Sequence, residues 1–179
     1  MSFATTLDHL QPAKSPLLRR FEALLAPNDS TRFEEKAQEA RELTRQNFGR
    51  TMRMFAPLYL SNECINNCRY CGFSRDNPIL RVTLTVEQVV AEARYLAAQG
   101  FRQVLLVAGE HPKFVNANYL VECIAALKPH FSSIALELGP METADYVPLV
   151  AAGAEGLVVY QETYDRLVYG RMHLSLIHI

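Results

Sequence analysis

Cys64, Cys68 and Cys71 stand in the run Asn62-Glu63-Cys64-Ile65-Asn66-Asn67-Cys68-Arg69-Tyr70-Cys71-Gly72-Phe73, a C-x3-C-x2-C spacing. The fourth cysteine of the chain, Cys123, is distant in sequence. Three thiolates on one short loop are soft ligands that suit an iron–sulfur cluster or zinc. Structural zinc takes four ligands, and His111 is the candidate that would complete a Cys3His set. A cubane cluster held by three protein thiolates instead leaves one iron open to a small molecule. Three unliganded thiols are the plainest alternative.

The elements that position this loop follow from periodicity. Met54 to Leu60 reads as a first strand that leads straight into the cysteines. Thr85 to Gln99 reads as a helix, with a Thr85/Gln88 capping box and Gly100 past its end. Val104-Leu105-Leu106-Val107 is a continuous apolar run, as in a parallel strand buried on both faces. Asn118 to Leu127 is the next helix, Ile134 to Leu138 the third strand, and Thr143 to Ala152 a short helix disturbed by Pro148. Gly156 to Tyr160 is the fourth strand, with another helix beginning after Thr163. Four βα units in series imply parallel strands with right-handed crossovers. The polar candidates then fall at strand ends: the cysteines after strand one, Gly109-Glu110 after strand two and Gln161-Glu162 after strand four. That is where βα barrels and open α/β sheets carry their sites.

Residues 1–50 read as a helical segment ahead of these units. Ser15-Pro16 starts one helix, which should stop near Pro27. Thr31 and Glu34 suggest a capping box for a second, with Phe33, Ala37, Ala40 and Leu43 as its apolar stripe and Gly49 closing it. These helices are expected to form a packing layer.

Composition narrows the function classes. The formal charge is −1, and Lys and Arg are dispersed, which argues against nucleic acid as a partner. No apolar run approaches the roughly 18–20 residues that span a bilayer, and no signal-peptide pattern opens the chain. A clustered trio of cysteines is a poor disulfide framework, so a reducing cytoplasm is expected. The phosphate-loop, G-x-G-x-x-G and H-E-x-x-H motifs are absent.

Cys64-x3-Cys68-x2-Cys71, with Tyr70 just before the last cysteine, resembles the signature of the radical S-adenosylmethionine (SAM) superfamily. The flanks Ala56 to Asn62, Tyr70 to Phe73, Leu105 to His111, Val159 to Tyr164 and Leu43 to Gly49 resemble its tyrosine-lyase family of thiamine biosynthesis, the 2-iminoacetate synthases. A related tyrosine lyase that matures [FeFe]-hydrogenase, making carbon monoxide and cyanide, shares the cysteine loop and the Gln161-Glu162-Thr163-Tyr164 segment. The resemblance implies that Cys64, Cys68 and Cys71 ligate three irons of a [4Fe–4S] cluster and that SAM takes the open iron. It implies that Gly109-Glu110 meets the SAM ammonium and that Tyr70 and Phe73 lie near the adenine. It further implies a 5′-deoxyadenosyl radical that abstracts hydrogen from L-tyrosine, with Cα–Cβ cleavage to p-cresol and 2-iminoacetate. The implied partners are a reductant such as flavodoxin or ferredoxin, and thiazole synthase.

Other roles have plainer counterparts. Glu137 alternates with Leu136 and Leu138, so in a barrel it points inward to SAM, and in an open sheet it is solvated. Gln161 and Glu162 either contact tyrosine or SAM or mark the start of a helix. Cys123 is expected to be a small buried apolar residue, His111 a loop residue beside Pro112, and Asn66 and Asn67 shapers of the cysteine loop.

The expected fold is therefore α/β: N-terminal helices, then about four βα units of a TIM-like radical SAM barrel over residues 51–173. A complete barrel takes roughly 200–250 residues, so this barrel is expected to be incomplete. Residues 174–179 read as a tail foreign to the family. A chain of this extent is expected to be inactive alone, and an inert or merely metal-binding fragment is the reading of a different class.

Overall fold

The computed structural model describes residues 15–27 and 29–174. Contacts divide the chain into two compact units, with the division after Met52. Residues 175–179, which hold most of the expected foreign tail, and the first fourteen residues of the expected helical segment lie outside the described residues.

The first unit contains α1 (Pro16–Leu25) and α2 (Ser30–Phe48). Pro16 occupies the first turn of α1, where a missing N–H costs nothing. The cap of α2 is Asp29 rather than Thr31: its carboxylate accepts the Arg32 N–H at 2.8 Å. Asp29 lies just ahead of the first turn, in extended backbone, whereas Thr31 is already helical. Gly49 ends α2 at a φ of 69°, which disfavours a side chain. Lys36 donates to the terminal Ala23 and Leu24 carbonyls of α1 at 3.1 and 3.0 Å, and Arg20 pairs with Glu39 at 2.6 Å. None of the described residues of these helices is buried.

The second unit alternates strand and helix: β1 (Ala56–Ser61), α3 (Val86–Ala98), β2 (Gln103–Ala108), α4 (Ala117–Leu127), β3 (Ser133–Glu137), α5 (Thr143–Ala152), β4 (Gly156–Val158) and α6 (Arg166–Met172). The strands form one parallel sheet in the order β1-β2-β3-β4, as consecutive βα units require. Leu58 and Leu60, Val104 and Leu106, and Ile134 and Leu136 share one face by the period of two. They build the core with Val89 and Ala93 of α3, Leu120, Cys123, Ile124 and Leu127 of α4, and Leu149 of α5. Leu105 and Val107 are buried as well, so β2 is covered on both faces, as its unbroken apolar run predicts. α5 keeps Pro148 within its span.

Two strands end differently from their apolar runs. β1 begins at Ala56, since its ladder with β2 starts at the Ala56–Val104 pair and leaves Met54 and Phe55 outside. β4 stops at Val158, the partner of Glu137, where β3 itself ends.

Candidate functional site

The C-terminal ends of the four strands carry the candidate residues. β1 runs directly into the cysteine loop, which is stitched along its whole length by hydrogen bonds from distant groups. Asn62 opens it by acting as a length of strand. Its N–H reaches the Val82 carbonyl (3.1 Å), its Oδ1 accepts from the Val82 N–H (2.7 Å) and its Nδ2 donates to the Leu80 carbonyl (2.8 Å). The Ile65 N–H donates to the Glu110 carbonyl at 2.8 Å, and the Gly109 N–H to the Ser61 carbonyl at 3.0 Å, tying the loop to the end of β2. Asn77 Nδ2 holds the Cys71 and Gly72 carbonyls, both at 3.0 Å.

Cys68 is buried, while Cys64 and Cys71 are half-buried. Burial pushes the Cys68 thiol above its usual range, and the negative charges of Cys71, Cys64, Glu110 and Glu162 push it further. Burial likewise raises the Tyr70 phenol, with Glu162, Cys68 and Cys71 adding to the effect. Groups from the cysteine loop, the end of β2 and the end of β4 thus bear on one spot, where negative charge on any of them opposes ionisation of Cys68. Ionising several thiols together there requires a cation, which iron supplies.

The donor set fits a cluster in this respect. Among the described residues no three His, Cys, Asp or Glu side chains gather around a point suited to a single metal ion. A cubane has a different requirement, because each thiolate binds a different iron.

Glu110 sits at the end of β2, and its side chain is held rather than loose. Asn66 Nδ2 donates to its carboxylate at 2.6 Å. The carboxylate arm lies on Gly139, where an added Cβ would stand 2.8 Å from Glu110 Cγ. Gly109 has no room for a side chain either: a Cβ there would meet the Glu63 carbonyl oxygen at 2.3 Å. Asn67 bonds Asp76 and accepts from Ser74 Oγ (2.7 Å), the local shaping that the sequence suggests, whereas Asn66 reaches across to Glu110.

Tyr70 and Phe73 lie against different partners. Tyr70 Oη is 2.5 Å from His173 Nε2, whereas the Phe73 ring meets Tyr59 edge-on at 6.0 Å, beside an open apolar cleft that Val82 and Leu84 also line. His173 follows α6. Its ring stacks on Tyr169 at 4.0 Å, and its backbone forms an antiparallel bridge with Cys68, flanked by Arg69 N–H to Met172 O (2.9 Å) and Leu174 N–H to Asn67 O (3.0 Å). The end of α6 is therefore laced onto the cysteine loop.

Glu137 is half-buried on the sheet face opposite the core, in a row with Tyr59, Val107 and Val158. The Gln161 amide turns back onto the Thr163 carbonyl at 2.8 Å, and Glu162 is exposed. Asp165 caps α6 by accepting from Leu167 and Val168 N–H at 2.9 and 3.0 Å. The Gln161–Asp165 stretch therefore starts a helix, while the Glu162 charge still bears on Cys68 and Tyr70. His111 lies against Phe114, with Nδ1 buried and unpartnered among the described residues. Cys123 is wholly buried, and desolvation lifts its thiol to about 11.

Arg81, His173, Asn62 and Gly139 are absent from the sequence-level set. Their partners are main-chain groups or residues far along the chain, which spacing does not reveal. A weak signal existed in Gly139-Pro140 at a strand end, which marks a tight turn.

Comparison with known proteins places the chain. It is 44% identical over 153 residues to the 2-iminoacetate synthase of Escherichia coli (strain K12), a match over 86% of this chain. Identity is 41% to that of Salmonella typhimurium (strain LT2), over the same share. The chain spans 41% of the length of these curated relatives. The crystal structure of HydG, a maturase of the [FeFe]-hydrogenase, superposes with a TM-score of 0.79 at 33% identity, over 84% of this chain and 35% of that one. The model of the radical SAM superfamily matches residues 58–173, from β1 through the cysteine loop to His173. The chain belongs to the radical SAM superfamily, whose members use a [4Fe–4S] cluster and SAM.

Proposed function

We propose that this chain forms the cluster- and SAM-binding part of a tyrosine lyase of the 2-iminoacetate synthase type, acting in the cytoplasm in thiamine biosynthesis. The observation that carries this reading is the 44% identity across 86% of the chain. It is supported by a cysteine loop locked onto the Gly109-Glu110 turn at the C-terminal end of a parallel sheet. Cys64, Cys68 and Cys71 would hold the cluster. Glu110, fixed by Asn66 and seated on Gly139, would offer carbonyl or carboxylate to the SAM ammonium. Tyr70, Phe73 and Glu137 would line the SAM side, and Gln161 and Glu162 would face SAM or substrate. When bound, the cluster supplies one electron that cleaves SAM to methionine and a 5′-deoxyadenosyl radical, for which L-tyrosine is the hydrogen donor. A flavodoxin or ferredoxin would deliver the electron, and thiazole synthase would receive the 2-iminoacetate.

The maturase reading rests on the superposition with HydG. Products separate the two. After anaerobic loading, the chain is expected to hold about four iron and four sulfide; cleavage of SAM on reduction would overturn the expectation that it is inactive alone. p-Cresol from tyrosine would be common to both tyrosine lyases; 2-iminoacetate with neither gas nor cyanide would mark the synthase, and carbon monoxide and cyanide would mark the maturase. SAM cleavage with none of these products would confine the chain to cofactor binding. Colourless protein with stoichiometric zinc would sink the cluster itself.

A further inference from the structure

Arg81 lies between the cysteine loop and α3 and is half-buried. Its Nη1 donates to the Asn62 and Phe73 carbonyls at 2.6 and 2.8 Å. Its Nη2 donates to the Ser74 carbonyl at 2.6 Å and reaches those of Arg75 and Asn77 at 3.3 Å each. Nη2 has two hydrogens for three acceptors, so the two long contacts share one. One guanidinium therefore joins the carbonyl two residues ahead of Cys64 to a set that begins two residues after Cys71. Only a planar, forked donor spans acceptors on both sides in this way; an ammonium presents its donors at one point.

The partners are all neutral carbonyls. Among the described residues Arg81 makes no ion pair, and a guanidinium stays protonated in any protein. Its full positive charge is therefore not offset by a carboxylate. It sits at the base of the loop that carries the three cysteines. Structural need alone does not call for that charge, since carbonyls can be satisfied by neutral amides, as Asn77 satisfies those of Cys71 and Gly72.

We propose that Arg81 is a positioning residue for the cluster: it clamps the two ends of the cysteine loop together and sets an uncompensated positive charge at the base of that loop. The inference rests on the cluster reading above and adds to it a residue that touches neither cluster nor substrate. The clamp keeps the loop shaped before metal arrives, so less ordering opposes loading. The charge favours the reduced, more negative cluster.

The test compares the wild-type chain with R81K and R81M. Each is loaded anaerobically with iron and sulfide, and three quantities are followed: loss of visible absorbance to a chelator, midpoint potential by EPR-monitored titration, and far-UV circular dichroism of the apoprotein. Both variants are expected to keep the wild-type dichroism and to lose the cluster faster, by roughly 10- to 100-fold, the usual cost of removing a group that supports metal ligands. The potential should become more negative in R81M and stay near wild type in R81K, a split that loosened packing does not produce. If R81M does not fold, R81Q replaces it as the neutral variant in the potential measurement, and R81K decides the clamp through its rate of cluster loss. Wild-type retention in R81K overturns the clamp, and an unchanged potential in the folded neutral variant overturns the charge. A wild-type chain that takes up no iron and sulfide defeats the cluster reading and the clamp with it; failure to form p-cresol touches neither.

Discussion

Gly109 is the point at which the end of β2 touches the cysteine loop. A methyl group there would stand 2.3 Å from the Glu63 carbonyl oxygen and 3.0 Å from its carbon. Both are main-chain atoms held by neighbouring hydrogen bonds, so the loop itself must shift. G109A is accordingly expected to cost about 1–3 kcal/mol, the range for forcing volume into packed structure, and to lower iron uptake in the same preparation. Gly72 is the internal control, since an added Cβ there meets nothing within 4 Å. Urea unfolding of both variants checks this; equal midpoints for G109A and wild type would refute the steric account. The gathering of three cysteines on one loop was legible in their spacing, and the place of Gly109-Glu110 at a strand end was legible from the apolar run that precedes it. The anchoring roles of Arg81 and His173 were not, because each depends on partners brought near only by folding. Arg81 bonds carbonyls from Asn62 to Asn77, and His173 bonds a tyrosine 103 positions earlier.

Helix starts show which local signals carry over into structure. Thr85 and Gln88 form the reciprocal capping box that the sequence suggests, with the Thr85 N–H bonded to Gln88 Oε1 at 2.9 Å and the Gln88 N–H to Thr85 Oγ1 at 3.3 Å. The same pattern at Thr31 and Glu34 misleads, because Asp29 captures the cap two residues earlier and the chain is already helical at Thr31. Two adjacent candidates compete, and spacing alone does not rank them. T85A is expected to lower stability by about 1 kcal/mol, read as a lower denaturation midpoint with an unchanged slope. Q88A should cost less, since the Thr85 side chain still caps α3. A T85A midpoint equal to that of wild type would show that tertiary contacts alone hold the start of α3. Strand ends were less legible than helix ends. Apolar runs locate β1 and β4, but pairing with β2 and β3 decides where each ladder begins and stops.

At the scale of the whole sheet, the two edges differ. β1 carries Pro57, which has no N–H to offer, and its end is covered by the Val82–Leu84 segment through Leu84 N–H to Leu60 O (2.9 Å) and the Ser61–Thr83 bridge. β4 has neither protection among the described residues. It pairs with β3 on one side alone, and Leu157 within it and Val159 and Tyr160 just after it are exposed. An unprotected apolar edge is a template for another strand. The 179-residue chain is therefore expected to self-associate through β4, with an apparent mass that rises with concentration in sedimentation velocity. V159K places a charge beside that edge without touching the core, and it should raise the concentration needed for association by roughly tenfold, about 1.4 kcal/mol. L18K, in the separate helical unit where Leu18 is also exposed, tests the alternative that association is general apolar stickiness. Equal effects of the two substitutions would refute an edge-specific contact. A response to V159K alone would identify β4 as the strand whose open side the sheet is built to extend.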